Sequence, residues 1–212
     1  MGRMTYWTPL AFLAVFLCLL QMSAACSCAY QHPQYKFCEA DFVALVTLEE
    51  FRKVDGDSST DEYKVHVNQT FKVKPSAQAA MEQTPLWIRT PSHESMCGVK
   101  GLTPGQTWVI GGYIIAGHPK VLSCNLAMLW SNVTPRQREG FEQLYQYGCV
   151  CRISFPSWLE KSDGKTCHGE SSPGPQDCQT RFGICRFQSG TCSWTSASAY
   201  NDCMRQYPND LD

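Results

Sequence analysis

Apolar and polar residues alternate along the first part of the chain in short stretches that are typical of half-buried β-strands. These stretches are rich in valine, isoleucine and aromatic residues, which favour strands over helices. Polar residues or glycines separate each stretch from the next. Five strands are predicted on this basis, at residues 42–48, 63–73, 86–90, 107–115 and 121–125.

The fourth stretch contains two adjacent glycines, Gly111 and Gly112, at which a strand of a closed barrel can bend. Five short strands with such a bend suit a small closed β-barrel of the OB-fold type. Residues 49–62, between the first two strands, are rich in aspartate, glutamate and serine. We therefore expect residues 49–62 to form a solvated loop that projects from the barrel.

One helix is predicted at residues 135–147. Thr134 suits the N-cap, Pro135 suits the first helical position, and Gln137 completes a capping box. Gly148 can end the helix. We expect the helix to pack on the barrel through an apolar stripe formed by Phe141, Leu144 and Tyr145.

Residues 1–25 have the pattern of a secretory signal peptide, with Arg3 in a basic leader, an apolar run at 11–20 and small residues that end at Ala25. The apolar run is too short to span a bilayer well, so no membrane span is predicted. Cleavage after Ala25 would leave a free α-amino group on Cys26. An amine and the carbonyl of the same residue can together chelate a metal ion.

The chain has 13 cysteines, and one of them, Cys18, lies in the predicted signal peptide. An even number remains, which in a secreted chain indicates disulfides throughout. The sequence contains no C-x-x-C pair of the kind that structural zinc sites use, so disulfides are favoured over a metal cluster of the chain's own. After Gly148 the apolar runs become few. The predicted domains are therefore residues 26–149 and a small disulfide-rich domain at residues 150–212.

The charge balance is close to neutral. The chain has 18 basic residues, including Arg3 of the predicted signal peptide, and 19 acidic residues. A nucleic-acid-binding surface needs a basic face, which this balance does not favour. The composition therefore argues against nucleic acid as a partner.

The run C-S-C-A-Y-Q-H-P-Q-Y-K-F-C at residues 26–38 resembles the N-terminus of the tissue inhibitors of metalloproteinases, the TIMP family. The family pattern is C-[ST]-C-x-x-x-H-P-Q-x-x-F-C after a signal peptide, and every fixed position matches. E-S-M-C-G at residues 94–98 and Q-R-E-G-F at residues 137–141 resemble further family segments. The likeness covers residues 26–151. Cys203 lies beyond the usual last cysteine of the family, and in this feature the chain resembles invertebrate members.

The resemblance implies a mainly β protein with accessory helices: a netrin-like, five-stranded OB-fold barrel followed by the disulfide-rich domain. It implies a secreted inhibitor rather than an enzyme, with zinc metalloendopeptidases of the matrix type as targets and ADAM-type proteases as further candidates. A monomer would form a one-to-one complex, with a protease accessory domain as a possible contact of the C-terminal domain. The protein would need no cofactor of its own.

In the mechanism that the resemblance implies, the α-amino nitrogen and carbonyl of Cys26 bind the catalytic zinc of the protease and displace its water. The zinc is thus shared in trans. The Ser27 side chain would enter the adjoining specificity pocket. The residues expected to contact the protease are Cys26, Ser27, Cys28, Ala29, Glu94 and Ser95.

The resemblance also implies a disulfide pattern for the first domain. It would fix the N-terminal peptide before any partner binds, although chain termini normally fray. For the second domain the pairing is a prediction of our own. The implied pairs are Cys26–Cys97, Cys28–Cys124 and Cys38–Cys149, and the predicted pairs are Cys151–Cys192, Cys167–Cys185 and Cys178–Cys203.

Two further sites follow from the sequence pattern N-x-[ST], which is the acceptor for N-glycosylation. They lie at Asn68 and Asn132. Asn68 falls on a predicted strand and Asn132 just before the predicted helix. Both are predicted glycosylation sites.

Three other function classes compete with inhibition. A netrin-like module that binds matrix or a growth factor would share the barrel and disulfides, yet would not need Cys26 to be the first residue. N-terminal sequencing of the secreted protein separates these two classes. An enzyme with Cys26 as nucleophile is disfavoured because a disulfide removes the thiolate. Nucleic-acid binding by the barrel is opposed by the charge balance.

Overall fold

The computed structural model describes residues 26–154, 163–169, 177–195 and 197–206, and the predicted signal peptide lies outside the described residues. Across these ranges the protein is mainly β. The strands are β1 (Phe42–Val54), β2 (Asp57–Val73), β3 (Leu86–Pro91), β4 (Thr107–Ile115), β5 (His118–Lys120), β6 (Leu126–Leu129), β7 (Arg152–Ser154), β8 (Thr166–His168), β9 (Ile184–Gln188) and β10 (Thr191–Thr195).

The helices are short. They are α1 (Pro33–Glu39), α2 (Gln78–Met81), α3 (Pro135–Glu139), α4 (Tyr145–Gly148), α5 (Cys178–Phe182) and α6 (Ser198–Gln206). Turns of 3₁₀-helix occupy Pro75–Ala77, Glu94–Met96 and Trp130–Asn132, and a π-helical turn, Gly140–Leu144, joins α3 to α4. In the described ranges, none of the helices is both long and apolar enough to cross a membrane.

Hydrogen bonding links five strands in a continuous series. β1 pairs antiparallel with β2, β2 with β3, and β4 with β5, while β3 and β5 are parallel neighbours at Arg89 and Lys120. β4 also pairs with β1 over six residue positions, from Phe42–Gly112 to Thr47–Thr107. The order β1-β2-β3-β5-β4 therefore returns to its starting strand. β6 extends the sheet beside β4.

Both faces of β1 are buried over residues 42–48, which explains the nearly continuous apolar run there. Phe42, Ala44, Val46 and Leu48 lie in one hydrophobic cluster with Ile88. Val43 points to the opposite cluster, because side chains alternate along a strand. That second cluster joins the sheet to the helices through Phe37, Val109, Leu126, Phe141 and Tyr145.

The predicted loop at residues 49–62 is wrong. These residues instead extend β1 and β2 as one hairpin, whose turn contains Gly56 with a positive φ of 77°. Two of the acidic residues have partners on the neighbouring strand, since Lys53 pairs with Asp61 at 3.0 Å and Arg52 with Glu62 at 2.8 Å. Such cross-strand pairs of opposite charge favour a hairpin over a loop.

The fifth predicted strand, at residues 121–125, is also wrong. The strands in this region are β5 and β6, on either side of that segment. Asn125 closes a local turn, because its side-chain oxygen accepts the Leu122 N–H at 2.9 Å and its own N–H donates to the Leu122 carbonyl at 2.9 Å. Val121 is nevertheless fully buried, so its apolar character reflects the core rather than a strand.

The predicted glycine bend lies within β4, which is continuous through both glycines. Gly112 is required for close approach of a neighbouring strand. A Cβ atom at this position would lie 2.1 Å from the Lys120 carbonyl oxygen. The absence of a side chain therefore lets β4 lie against β5.

The predicted helix start is confirmed. Thr134 caps α3, and its side chain and that of Gln137 form the reciprocal capping box. The helical region continues to Gly148, but its middle turn is π-helical rather than α-helical. Phe141 and Tyr145 from this region are buried in the second hydrophobic cluster, so the expected packing against the sheet is confirmed.

The residues after 150 have a core of a different kind. Its buried members are Cys151, Cys167, Cys185 and Cys192, with Ile153 and Trp194 packed against them. Ile184 at the start of β9 belongs instead to the hydrophobic cluster that contains Phe37. Packing is thus continuous across residue 149. The division into domains at that residue stays a prediction.

Candidate functional site

The described chain begins with a segment held by two disulfides. Residues 26–29, which we call the tip, have no regular secondary structure, and Ser27, Cys28 and Ala29 are exposed. Cys26 is bonded to Cys97 with a Cα–Cα distance of 5.2 Å, and Cys28 to Cys124 with 5.1 Å. Two residues of the tip are therefore attached to two different segments of the molecule.

A turn of 3₁₀-helix, Glu94–Met96, lies beside the tip. The Ser95 carbonyl oxygen accepts a hydrogen bond from the Cys26 backbone nitrogen at 3.2 Å. The three turn residues are exposed, and Cys97, which ends the turn, has a left-handed φ of 63°. The tip and the turn together form one exposed surface, which we call the ridge. It contains every residue that the sequence predicted to contact a protease.

The turn is fixed to the end of β3. The His93 carbonyl accepts hydrogen bonds from the N–H groups of Met96 and Gly98, both at 3.0 Å. A Cβ atom on Gly98 would lie 2.2 Å from the Pro91 carbonyl oxygen. Only glycine fits at this point without a shift of backbone, which accounts for glycine directly after Cys97.

The sulfurs of Cys26, Cys28, Cys97 and Cys124 lie within 4.8 Å of one another, a spacing that a metal ion could bridge. All four are in disulfides, however, and a metal needs the thiolate form as ligand. We therefore interpret the cluster as the covalent base of the ridge. The donors that remain on the ridge are backbone atoms and the exposed Glu94 carboxylate.

Two residues near the ridge were missed by sequence reasoning. The Ser123 hydroxyl lies 3.8 Å from the Cys26 sulfur and 3.6 Å from the Cys28 sulfur. Its position next to Cys124 was the available indication. Lys100 forms an ion pair with Glu94 at 2.9 Å. Both side chains are largely exposed, so the pair contributes little to stability.

The segment directly after the tip is buried. We call residues 32–40 the anchor, and they include α1, which sequence analysis did not predict. Pro33 occupies its first turn, and the His32 Nδ1 atom accepts the Gln34 N–H at 3.1 Å. His32, Gln34 and Phe37 have no exposed surface. Burial lowers the pKa of His32 to about 4, so its ring is neutral at physiological pH.

Hydrogen bonds connect the anchor to the C-terminal part of the chain. His32 Nε2 donates to the Gln179 carbonyl at 3.0 Å. The Gln34 amide donates to the Cys185 carbonyl at 2.7 Å and accepts the Cys185 N–H at 2.9 Å. Between tip and anchor, the Tyr30 side chain is half-buried, and this burial raises the pKa of its phenol.

Six disulfides are present in the described ranges. Two hold the tip, and Cys38–Cys149 ties α1 to the end of α4. The remaining three lie in the C-terminal part. The three disulfides of the C-terminal part are Cys151–Cys192, Cys167–Cys185 and Cys178–Cys203. All six pairs are the same as those that the resemblance implied for the first domain and that we predicted for the second.

Both glycosylation sequons lie at exposed positions. Asn68 is on β2, where its side-chain oxygen accepts a hydrogen bond from the Thr47 hydroxyl at 2.9 Å. Asn132 ends the 3₁₀ turn before α3. Solvent can therefore reach both side chains, and glycosylation stays a prediction.

The sequence is similar to those of known proteins over most of its length. The family model for tissue inhibitors of metalloproteinases matches residues 24–194. A protein named metalloproteinase inhibitor 3 from Scyliorhinus torazame is 30% identical over 195 residues, which cover 88% of each chain. A Drosophila melanogaster protein named tissue inhibitor of metalloproteinase is 28% identical over 209 residues, covering 92% of this chain and 93% of its own. The chain belongs to the tissue inhibitor of metalloproteinase family.

Proposed function

We propose that this protein is a secreted inhibitor of zinc metalloendopeptidases that acts through its ridge. Removal of residues 1–25 would make Cys26 the first residue. Its α-amino nitrogen and carbonyl oxygen would then bind the catalytic zinc of the protease. The observation that carries the proposal is the position of Cys26, half-buried beside the exposed Glu94–Met96 turn at the start of an exposed tip, and held there by two disulfides and the bond to Ser95.

The chemistry of the donor set fits such a metal. A catalytic zinc in a protease has three protein ligands and a water in its open position, and the protein ligands include nitrogen and oxygen donors. A neutral primary amine has two hydrogens and one lone pair. In the present structure the Cys26 nitrogen donates to the Ser95 carbonyl as a peptide N–H. Once Cys26 is the first residue, one hydrogen of the amine could keep this bond, which would leave the lone pair available to a metal. Occupation of the open position would exclude the water that attacks the substrate.

In this proposal, the ridge binds tightly because it is already rigid before a protease binds. Binding normally costs free energy for the ordering of mobile segments. The tip is attached at Cys26 and Cys28, and the neighbouring turn is fixed against Pro91, so both halves of the ridge are ordered before a protease arrives. Little ordering remains to be done on binding.

The exposed side chains of the ridge would contact the protease on either side of its zinc. Ser27 would enter the specificity pocket next to the metal, and Cys28 and Ala29 would continue along the substrate groove. Glu94 and Ser95 would contact the other side. Because the Ser27 side chain is small and polar, we expect broad selectivity among matrix-type proteases, with ADAM-type proteases as further targets.

We also infer the architecture that supports this function. The closed order β1-β2-β3-β5-β4 supports a five-stranded OB-fold barrel at residues 26–149. Residues 150–212 would be a separate disulfide-rich domain, with a protease accessory domain as its candidate partner. The inhibitor would be a monomer that forms a one-to-one complex.

The test is a titration of the secreted protein against a zinc endopeptidase of the matrix type. A variant with one additional alanine before Cys26 is measured beside it. We expect the natural N-terminus to inhibit stoichiometrically and the extended variant to lose inhibition, because an amide nitrogen cannot bind zinc as an amine does. Far-UV circular dichroism and thermal unfolding should be the same for both.

A matched control carries a substitution at an exposed residue away from the ridge, Phe187→Ala. We expect this control to inhibit as the natural protein does. Full potency of the extended variant would contradict zinc binding by Cys26. Loss of potency in the control as well would indicate that the preparation, rather than the N-terminus, had failed.

A further inference from the structure

We propose that Cys28 is a modification site for small external thiols of the glutathione type, and that thiol attack there releases the tip by disulfide exchange. The reaction passes from the Cys28–Cys124 disulfide to the adjacent Cys26–Cys97 disulfide. The exchange itself does not depend on the proposed function. Its consequence, a loss of inhibition, rests on that function.

Cys28 is the accessible entry point. Among the twelve cysteines that are bonded in the described ranges, it is the only one that is exposed. A thiolate exchanges with a disulfide by attacking one of its two sulfurs, so the rate depends on access to that sulfur. The external thiol gives its proton to solvent and attacks Cys28 as a thiolate. A mixed disulfide forms on Cys28, and Cys124 leaves as a thiolate.

The Cys124 sulfur lies against the second disulfide of the tip. It is 3.8 Å from the Cys26 sulfur and 3.9 Å from the Cys97 sulfur. A thiolate held in such contact attacks within the molecule, without diffusion of a second reagent. Attack by Cys124 on Cys97 forms a Cys97–Cys124 disulfide and expels Cys26 as a thiolate, which takes a proton from solvent. Two S–S bonds exist before and after, and the thiol of the attacking molecule is replaced by the thiol of Cys26.

The surrounding structure favours release of Cys26 over release of Cys97. The Ser123 N–H donates to the Cys97 carbonyl at 2.9 Å, so the segments that carry Cys97 and Cys124 are already joined side by side. The Ser123 hydroxyl lies 3.8 Å from the Cys26 sulfur, where it can donate a hydrogen bond to the departing thiolate. The new disulfide therefore forms between two segments that are fixed to each other, and the tip is the part that leaves.

The product has a tip without its two covalent restraints. Of the restraints described above, the hydrogen bond from the Cys26 nitrogen to the Ser95 carbonyl remains. A chain end with so few contacts frays, and ordering it on a protease then costs free energy that the bonded tip does not lose. The external group on Cys28 also occupies the surface that we propose to face the protease. Inhibition should therefore fall as the exchange proceeds.

The experiment treats full-length secreted protein with an excess of reduced glutathione at neutral pH, without denaturant and without oxygen. Free thiols are then trapped by alkylation, and the disulfides are mapped by mass spectrometry of proteolytic peptides. We expect an alkylated Cys26, glutathione on Cys28 and a new Cys97–Cys124 disulfide. This map requires no protease and no variant that might fail to fold.

The variant Cys28→Ser with Cys124→Ser removes the entry disulfide and keeps the other disulfide of the tip. Alkylation of Cys26 should be at least about tenfold slower in this variant, because the external thiol must then attack a half-buried disulfide directly. The matched control, Cys178→Ser with Cys203→Ser, also loses one disulfide, but in the C-terminal part. It should release Cys26 at the natural rate.

Two measurements in the same samples complete the test. The Cys38–Cys149 disulfide is an internal control and should stay intact, since neither of its cysteines is exposed. Inhibition of the zinc endopeptidase is measured after free glutathione has been removed, because thiols themselves bind zinc. The loss of inhibition should follow the fraction of released Cys26.

An unmodified Cys28, or a glutathione adduct there beside an intact Cys26–Cys97 disulfide, would overturn the exchange. A Cys26–Cys124 disulfide with Cys97 free would also overturn it, since the tip would then stay attached. Equally fast release of Cys26 without the entry disulfide, or simultaneous loss of all six disulfides, would show that Cys28 is not the entry point. If the natural protein inhibited no zinc endopeptidase, the proposed function would fail, while the disulfide map would still decide whether the exchange occurs.

Discussion

The tip and the anchor are neighbours in the chain, yet they differ in how far burial contributes to their order. The tip is largely exposed and is held by two disulfides and one backbone hydrogen bond. The anchor is largely buried and is held by side-chain packing and hydrogen bonds in addition to the single Cys38–Cys149 disulfide. A surface that must meet a partner cannot be ordered by burying its side chains. Covalent bonds and backbone contacts leave those side chains free.

This difference between the tip and the anchor predicts whether a substitution should affect inhibition or the free energy of unfolding. Changes in the tip should alter inhibition with little effect on the free energy of unfolding, because few side-chain contacts are lost. Changes in the anchor should lower the free energy of unfolding with little effect on inhibition by molecules that remain folded. Measuring inhibition and the free energy of unfolding for each variant tests whether the tip and the anchor contribute independently to function and to stability.

The largest stability effect is expected for Phe37→Ala in the anchor. Phe37 has no exposed surface, and its ring lies 5.9 Å from that of Tyr145 and 6.4 Å from that of Phe141, between centroids. Loss of a buried phenylalanine ring costs about 3–5 kcal/mol, from lost transfer energy and the cavity left behind. Denaturant unfolding at constant pH measures this cost directly.

Phe187→Ala is again the control, because that ring is 54% exposed and its loss should change the free energy of unfolding by less than about 0.5 kcal/mol. Inhibition by folded Phe37→Ala should match that of the natural protein. A large rise in the inhibition constant of fully folded Phe37→Ala would show that the anchor and the tip are not independent.

A smaller effect should follow from His32 as the pH falls. Burial holds the pKa of His32 at about 4, against a usual value of about 6.5 in an unfolded chain. Above about pH 6.5 the ring is neutral in both states and has no effect on the pH dependence. Between about pH 6.5 and 4 the unfolded chain gains a proton and the folded protein does not, so up to about 3 kcal/mol of stability is lost.

Denaturant unfolding at a series of pH values measures this loss, with His93→Gln as control because His93 is exposed. The control should have the same pH dependence as the natural protein. His32→Gln should have a flatter profile between pH 6.5 and 4, whatever its stability at neutral pH. An equally steep profile in His32→Gln would assign the dependence to other groups.

The sequence predicted those elements whose pattern depends on local neighbours. Alternation located β1 to β4, and the capping residues Thr134 and Gln137 located the start of α3. The tip and the turn were found through resemblance, since neither alternation nor composition distinguishes exposed residues that bind a partner from exposed residues that do not. Spacing alone could not have paired the twelve cysteines.

The errors occurred where the stabilising partner lies elsewhere in the chain. Residues 49–62 appeared to be a loop because their charges suggested solvation, whereas Glu62 is buried against Arg89 of another strand. α1 is a short helix whose first turn depends on the buried ring of His32.

The smallest expected effect is a gradual change in the inhibition constant with pH, caused by the α-amino group of the tip. It should appear at higher pH than the loss of stability caused by His32. Only the neutral form of the Cys26 amine can bind zinc, and a free α-amino group has a pKa of about 7.7–8.0. Below that range the inhibition constant should rise about tenfold for each pH unit, as the neutral fraction falls. The free energy of unfolding should not change in the same interval down to about pH 6.5, because His32 is neutral in both states there.

Inhibition is measured against one protease whose uninhibited activity is known at each pH. An inhibition constant that stays flat from pH 8 to 6.5 would mean that the amine is not the group that binds the metal, and the tip would then need another chemistry to explain its exposure.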